Sequence, residues 1–326
     1  MEKYRKNLFN ALACFLVVIV LNFALPRLLP GDPVAYLTGF SEEEMTVAQI
    51  DRYRAALHLD ESVPRQFLHY LASLADGTLG YSYKKEATVA ELIRGRIGYT
   101  LQIALPAVVL SSVIGLAWGL ACGYRRDSLG DKLSSSVLIV LNTVPSFLIA
   151  LAAIIFFCFQ HKVFPYTGVS SPGFAPGVPG FFADRLRHLA LPVLTLTLAA
   201  MPSRYLLMRN TAARLADEKY ILYAKERGLS PCTIQFGYML KNIAQPFITM
   251  LGMSVSLCIG GSLIIENIFS VSGMGKLLTD AVYTLDYPLM QGVLFVTTLI
   301  MVLSIIITDF LCILVDPKVR LGEKHE

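Results

Sequence analysis

The chain has 326 residues, 55% of them hydrophobic and 16% charged, with a mean hydropathy of +0.57. That composition excludes an ordinary soluble domain, in which about a quarter of residues are charged. The formal charge of +4, without a basic stripe carrying interleaved aromatics, gives no footprint for nucleic acid.

The apolar residues gather in six blocks, near 8–29, 98–123, 134–159, 188–209, 240–266 and 288–315. Each is long enough for a helix to cross a bilayer core about 30 Å thick at about 1.5 Å per residue. The blocks are continuously apolar, whereas strands of a membrane barrel alternate polar and apolar in segments of about ten. The expected fold is therefore an all-α integral membrane protein with six transmembrane helices, forming a single domain over 1–326. The basic start at Lys3, Arg5 and Lys6 also suits a signal peptide. Against that, the first block outruns a signal core, and Ala24-Leu25-Pro26-Arg27 is a poor cleavage site.

Between the first two blocks, 30–97 opens with Pro30-Gly31-Asp32-Pro33 and continues with Ser41-Glu42-Glu43-Glu44, a serine before acids that suits a helix N-terminus. It reads as a small helical cap, with a loop over Gly77-Thr78-Leu79-Gly80-Tyr81-Ser82 before a further short helix into the second block. Arg125, Arg126 and Lys132 separate the second and third blocks, and Lys318, Arg320 and Lys324 follow the sixth. The positive-inside rule puts these segments, with 1–7, 210–240 and 316–326, in the cytoplasm, both termini included. The segments 30–97, 160–187 and 267–287 then lie outside, the second of them a Pro/Gly loop.

The six cysteines form no CxxC pair, and the five histidines are scattered without an HExxH or a close pair, so no metal ligand set is expected. Gly273-Met274-Gly275-Lys276-Leu277 lacks the first glycine and the Ser or Thr of a phosphate-binding loop, so the chain is not expected to bind ATP or to act as an enzyme. Glu266 and Asp309 are the acids nearest to, or inside, the apolar blocks; each reads either as a pathway group or as a polar clamp between helices. Asn142, Thr143 and Ser146 flank Pro145 in the third block and either line a passage or relieve a proline kink.

Segment 210–240 is amphipathic and interrupted at Gly228. Arg214, Asp217, Glu218, Lys219, Lys225, Glu226 and Arg227 supply a wet face, and Leu215, Tyr220, Ile221, Ala224 and Leu229 a packing face. Two short helices meeting at a glycine form a bent elbow, which either lies on lipid headgroups or docks a partner.

The string from Asp217 to Pro246 resembles the cytoplasmic loop of binding-protein-dependent ABC importer permeases, in particular the oligopeptide, dipeptide and nickel branch. Glu218, Tyr220, Ala224, Gly228, Leu229, Ser230, Asn242 and Pro246 carry the likeness in order and spacing. Further matches in order are Leu29 to Pro33, Asn142 to Phe147, Glu266 to Ser270 with Gly273-Met274-Gly275, Asp286-Tyr287-Pro288 and Asp316 to Arg320. The resemblance implies a type I importer permease architecture in a bacterial or archaeal cytoplasmic membrane. Its implied partners are a second homologous permease, two cytoplasmic ATPase subunits that bind ATP and Mg, and an extracytoplasmic binding protein. It also implies that Asp217, Glu218, Tyr220, Ala224, Gly228, Leu229 and Ser230 form the ATPase-coupling elbow. Di- or oligopeptides are the leading cargo. A nickel or metal chelate is the alternative within the family, and an ion-gradient-driven secondary transporter the alternative outside it.

Overall fold

All six apolar blocks are helical along their described lengths except for a break at Val144–Pro145 in the third, and most continue beyond the apolar stretch. The computed structural model describes residues 2–28, 33–38, 40 and 45–315. The long helices are α1 (Glu2–Leu28), α5 (Val89–Tyr124), α8 (Phe181–Leu215), α10 (Leu240–Ile268) and α12 (Tyr287–Val315). The third block is two helices, α6 (Leu129–Thr143) and α7 (Ser146–Ala153), the second running on as a π-helical stretch to Gln160. Short helices α2 (Pro33–Thr38), α3 (Val47–Ala56), α4 (Val63–Ala75), α9 (Lys219–Glu226) and α11 (Met274–Tyr283) fill the connections. The expected helix start at Ser41–Glu44, most of the Pro30–Pro33 motif and the 316–326 tail lie outside the described residues.

Two expectations need correction. The third block is not one continuous span: α6 and the α7 run meet at 99°. Pro145 has no N–H to continue the ladder and pushes Val144 into extended backbone, at φ −78° and ψ 121°. The loop before the second block is also more ordered than expected. Tyr81–Ser82 (β1) pairs antiparallel with Ala87–Thr88 (β2), and α5 then starts directly, with no separate short helix.

Three helices among the described residues are long and apolar enough to cross a membrane: Val89–Tyr124, Phe181–Leu215 and Tyr287–Cys312; the bent α6/α7 pair makes a fourth if it is one span. In α12, the most apolar of them, protein covers only 17% of the most apolar stretch, against 61% in α8. Met301, Leu303, Ile307 and Phe310 face outward from it. A water-soluble fold buries its most apolar helix, so this inversion marks lipid as the solvent.

The chain forms two interleaved compact units, Gln102–Ser270 with Ser304–Glu326, and Glu2–Leu101 with Val271–Leu303. In the first, α5 and α8 approach until backbones touch. A Cβ on Gly119 would lie 2.7 Å from the Tyr205 carbonyl oxygen, and one on Gly123 2.5 Å from that of Arg209. Gly115, Gly119 and Gly123 repeat one turn apart, the small-residue stripe that lets helices pack without a hydrophobic drive from water. In the second unit, Val89, Ile93, Met274, Leu277, Ala281, Leu289 and Val293 form one buried cluster. Buried Asp286 ties the hairpin to α12: its Oδ1 accepts from the Leu289 N–H at 3.2 Å, and the Ser82 hydroxyl donates to its Oδ2.

A methyl at Gly119 has no room, so Gly119→Ala should cost about 1–3 kcal/mol by overpacking. Gly130→Ala, in a helix with nothing within 4 Å, should be neutral or stabilising. Thermal unfolding of the detergent-solubilised variants separates the two.

Burial lifts the Asp286 carboxyl above its ordinary 3.8, with the bonds from Ser82 and Leu289 and the nearby Lys85 and Lys84 opposing. The folded state therefore holds this proton more tightly than the unfolded chain. Its contribution is complete below 3.8 and is lost as pH rises through the raised value. Asp286→Asn keeps a capping oxygen and should flatten that fall in Tm, measured upward from about pH 4.

Candidate functional site

The chain leaves α8 at Leu215 and turns through 216–218 into α9, which starts when the Glu218 carbonyl accepts from the N–H groups of Ile221 and Leu222 at 2.9 and 3.1 Å. Eight residues later the helix is stopped. Gly228 takes φ +74°, its N–H bonds the Lys225 carbonyl at 2.9 Å, and the Leu229 N–H reaches back to the Ala224 carbonyl at 3.2 Å. This pair of reversed bonds is a Schellman end, and glycine fits it because a left-handed φ clashes with a Cβ. The next helix starts at once: Ser230 Oγ accepts from the Thr233 N–H at 3.2 Å, and Pro231 fills the first position, where its missing N–H is no loss. Gly-Leu-Ser-Pro is thus a stop followed by a start, and the elbow at Gly228 is fixed by backbone chemistry.

Its underside is equally fixed. Ile221 and Ala224, buried on one face of α9, join Leu120, Met208, Ala212, Ile234, Met239 and Ile243 in a single core cluster, with Leu229 packed against it. Tyr220, expected on the packing face, is instead partly exposed, with its hydroxyl accepting from Asn242 Nδ2 of α10 at 3.0 Å. Partial burial, and secondarily Glu218, push the Tyr220 phenol pKa up. Asp217 pairs with Arg126, both sides well exposed, so the pair contributes at most about 1 kcal/mol. Lys225 Nζ sits 5.1 Å from the Tyr124 ring centre.

The opposite face of α9 presents Leu222 and Tyr223, 44% and 61% exposed. Sequence reasoning did not single them out, although the burial of Ile221 and Ala224 three residues apart points the residues between them outward.

An open cavity of about 590 Å³ lies between α8 and α10. Ser203 and Leu207 line it from α8, while Gln245, Thr249 and Met253, one turn apart, line it from α10. None of the expected pathway residues is in this lining. Asn142 and Thr143 are exposed at the α6/α7 break with Ser146 half-buried beside them. Glu266 is fully buried in α10 and accepts from Ser262 Oγ at 3.0 Å, while Asp309 is half-buried on α12. Periodicity locates helices but not the space between them, so the cavity had no sequence signal. The histidines that read as scattered include two, His58 and His69, whose rings stack 4.0 Å apart.

Comparison with known proteins agrees with this geometry. Residues 92–321 match the family model "Binding-protein-dependent transport system inner membrane component". A Brucella ovis protein named as a peptide permease is 35% identical over 96% of this chain and 97% of its own. The dipeptide transport system permease protein DppB of Bacillus subtilis is 29% identical over 99% and 100%. The inward-facing MetNI methionine ABC transporter shares the fold, with a TM-score of 0.56 at 15% identity over 69% of this chain and 96% of that one. The chain belongs to the family of inner-membrane components of binding-protein-dependent transport systems.

Proposed function

We propose that the chain is the pore-forming permease of an ATP-driven importer of di- and oligopeptides, with six spans, both termini in the cytoplasm and no ATPase site of its own. The observation that carries this reading is the α9 elbow, clamped beneath by the core cluster and offering Leu222 and Tyr223 outward. Membership in the family supports an ATPase and a binding protein as partners. The peptide cargo rests on the names of the Brucella ovis and Bacillus subtilis relatives.

In this reading a cytoplasmic ATPase subunit, which binds ATP and Mg, receives the elbow in a groove. Leu222 and Tyr223 enter the groove with Asp217 and Glu218 beside them. Ala224 and Leu229 hold the elbow from below, Gly228 and Ser230 set its angle, and Tyr220 braces it against Asn242. Closure of two ATPase subunits moves α9 as a rigid body, and the core cluster passes the motion to α8 and α10, which flank the cavity. A second homologous permease completes the conduit, and an extracytoplasmic binding protein delivers cargo above the 30–97 cap. Asn142, Thr143 and Ser146 belong to the pathway wall at the α6/α7 break, with Asp309 a further pathway group; the burial of Glu266 favours a clamp for that residue.

Two measurements test this. In vesicles carrying the full complex, Leu222→Ala with Tyr223→Ala should leave the chain folded, weaken ATPase co-purification by tenfold or more, and abolish ATP-dependent uptake of labelled di- to hexapeptides. Full uptake by this variant, or uptake without ATPase subunits, overturns the coupling role. Ser203→Trp should obstruct the cavity, slowing peptide uptake while ATPase association stays at wild-type level. Unchanged uptake would remove the cavity from the pathway.

A further inference from the structure

In the second compact unit, α3 ends in the same reversed-bond motif as α9. The Leu59 N–H bonds the Arg54 carbonyl at 3.0 Å, and the His58 N–H bonds the Ala55 carbonyl at 3.1 Å. The left-handed position that glycine fills in the elbow is here occupied by His58, at φ 55°. A β-carbon in that region costs on the order of 1 kcal/mol, and the turn fixes where the His58 ring leaves the backbone.

The turn brings Glu61 back toward His58, with the Glu61 N–H on the His58 carbonyl at 3.1 Å. Gln66 of α4 holds the turn: its Nε2 donates to the carbonyls of Leu59 and Glu61 at 3.3 and 2.9 Å, and its Oε1 accepts from Arg27 Nε at 3.0 Å. One turn further along α4, His69 faces the same carboxylate. His58 Nδ1 is 3.2 Å from Glu61 Oε1, and His69 Nε2 is 3.3 Å from Glu61 Oε2. One ligand atom from each of the three residues lies within 4.8 Å of the other two.

We propose that His58, Glu61 and His69 form a binding site for a divalent cation of the zinc type. Two imidazoles and a carboxylate are the donors such an ion takes, with water in the fourth position, and ligand atoms already within 4.8 Å of one another need only side-chain rotation to close onto the edges of about 3.3–3.6 Å of a tetrahedron with bonds of about 2.0–2.2 Å. The parallel stacking of the rings, at 4°, holds their lone pairs in separate planes, so the ion binds after one ring turns about χ2. With 46% and 49% of their side-chain surfaces exposed, both rings have room to turn. The bound ion ties the C-terminal end of α3 to α4.

The test titrates Zn²⁺ into the purified full chain in detergent and compares it with His58→Asn/His69→Gln, in which asparagine tolerates the left-handed turn, and with Glu61→Gln. Wild type should bind one zinc more than the double variant, gain thermal stability with zinc, and show two imidazoles at the zinc X-ray absorption edge. Glu61→Gln should bind about tenfold or more weakly. Equal zinc stoichiometry in wild type and the double variant, or a spectrum without imidazole, overturns the site. Equal Tm values in zinc-free buffer show that the variants are folded, and Glu61→Gln decides alone if the double variant is not.

Discussion

The contact between α5 and α8 at Gly115, Gly119 and Gly123 is the constraint from which the first unit is built. Lipid supplies no hydrophobic push between two apolar helices, so they adhere by close packing, which requires that nothing protrude between them. With the backbones touching, Arg209 is held where its Nε reaches the nearly inaccessible carboxylate of Asp131 at 2.9 Å, which fixes the start of α6. A buried pair of this kind is weak evidence for net stability. Removing Arg209 is nevertheless costly, because the buried Asp131 carboxylate is left without its counter-charge. Leu120 on α5 and Met208 and Ala212 on α8 then complete the platform under Ile221 and Ala224. The elbow is positioned by a chain of contacts that begins at the glycines.

The helices were the most legible part of the sequence, because lipid forces every span to satisfy its backbone internally and so writes length and apolarity directly into the chain. The elbow was legible for a related reason: glycine followed by serine and proline states a helix stop and start in residue chemistry. What escaped reading depends on through-space geometry. The angle between α6 and α7 follows from two residues, Val144 and Pro145, whose dihedrals composition does not determine. Tyr220 belongs to the apolar face by periodicity but is partly exposed, hydrogen-bonded to a residue 22 positions away. His58 and His69 look unrelated at eleven residues apart until the α3 turn folds one over the other.

The Schellman ends of α9 and α3 show how one backbone device serves different ends. At Gly228 the residue contributes only its freedom, and the space around its α-carbon is open. At His58 the same dihedral region carries a large polar side chain, held in place by Gln66 from the neighbouring helix. Sequence identifies the first readily, since glycine is the expected residue there, and hides the second.

The length of α8 has a mechanical consequence. Its 35 residues extend about 52 Å at about 1.5 Å per residue, well beyond a bilayer core. As a lever pivoting at its middle, a rod of that length swings its ends by roughly 2 Å for each 5° of tilt. The rod is not uniform: Pro192 and Pro202 each remove a rung from its ladder, dividing it into three arms joined at softened points. Ser203 is the first residue beyond the second of these, so the cavity wall stands at a joint. A displacement applied at the elbow end would therefore be shared there between bending and travel.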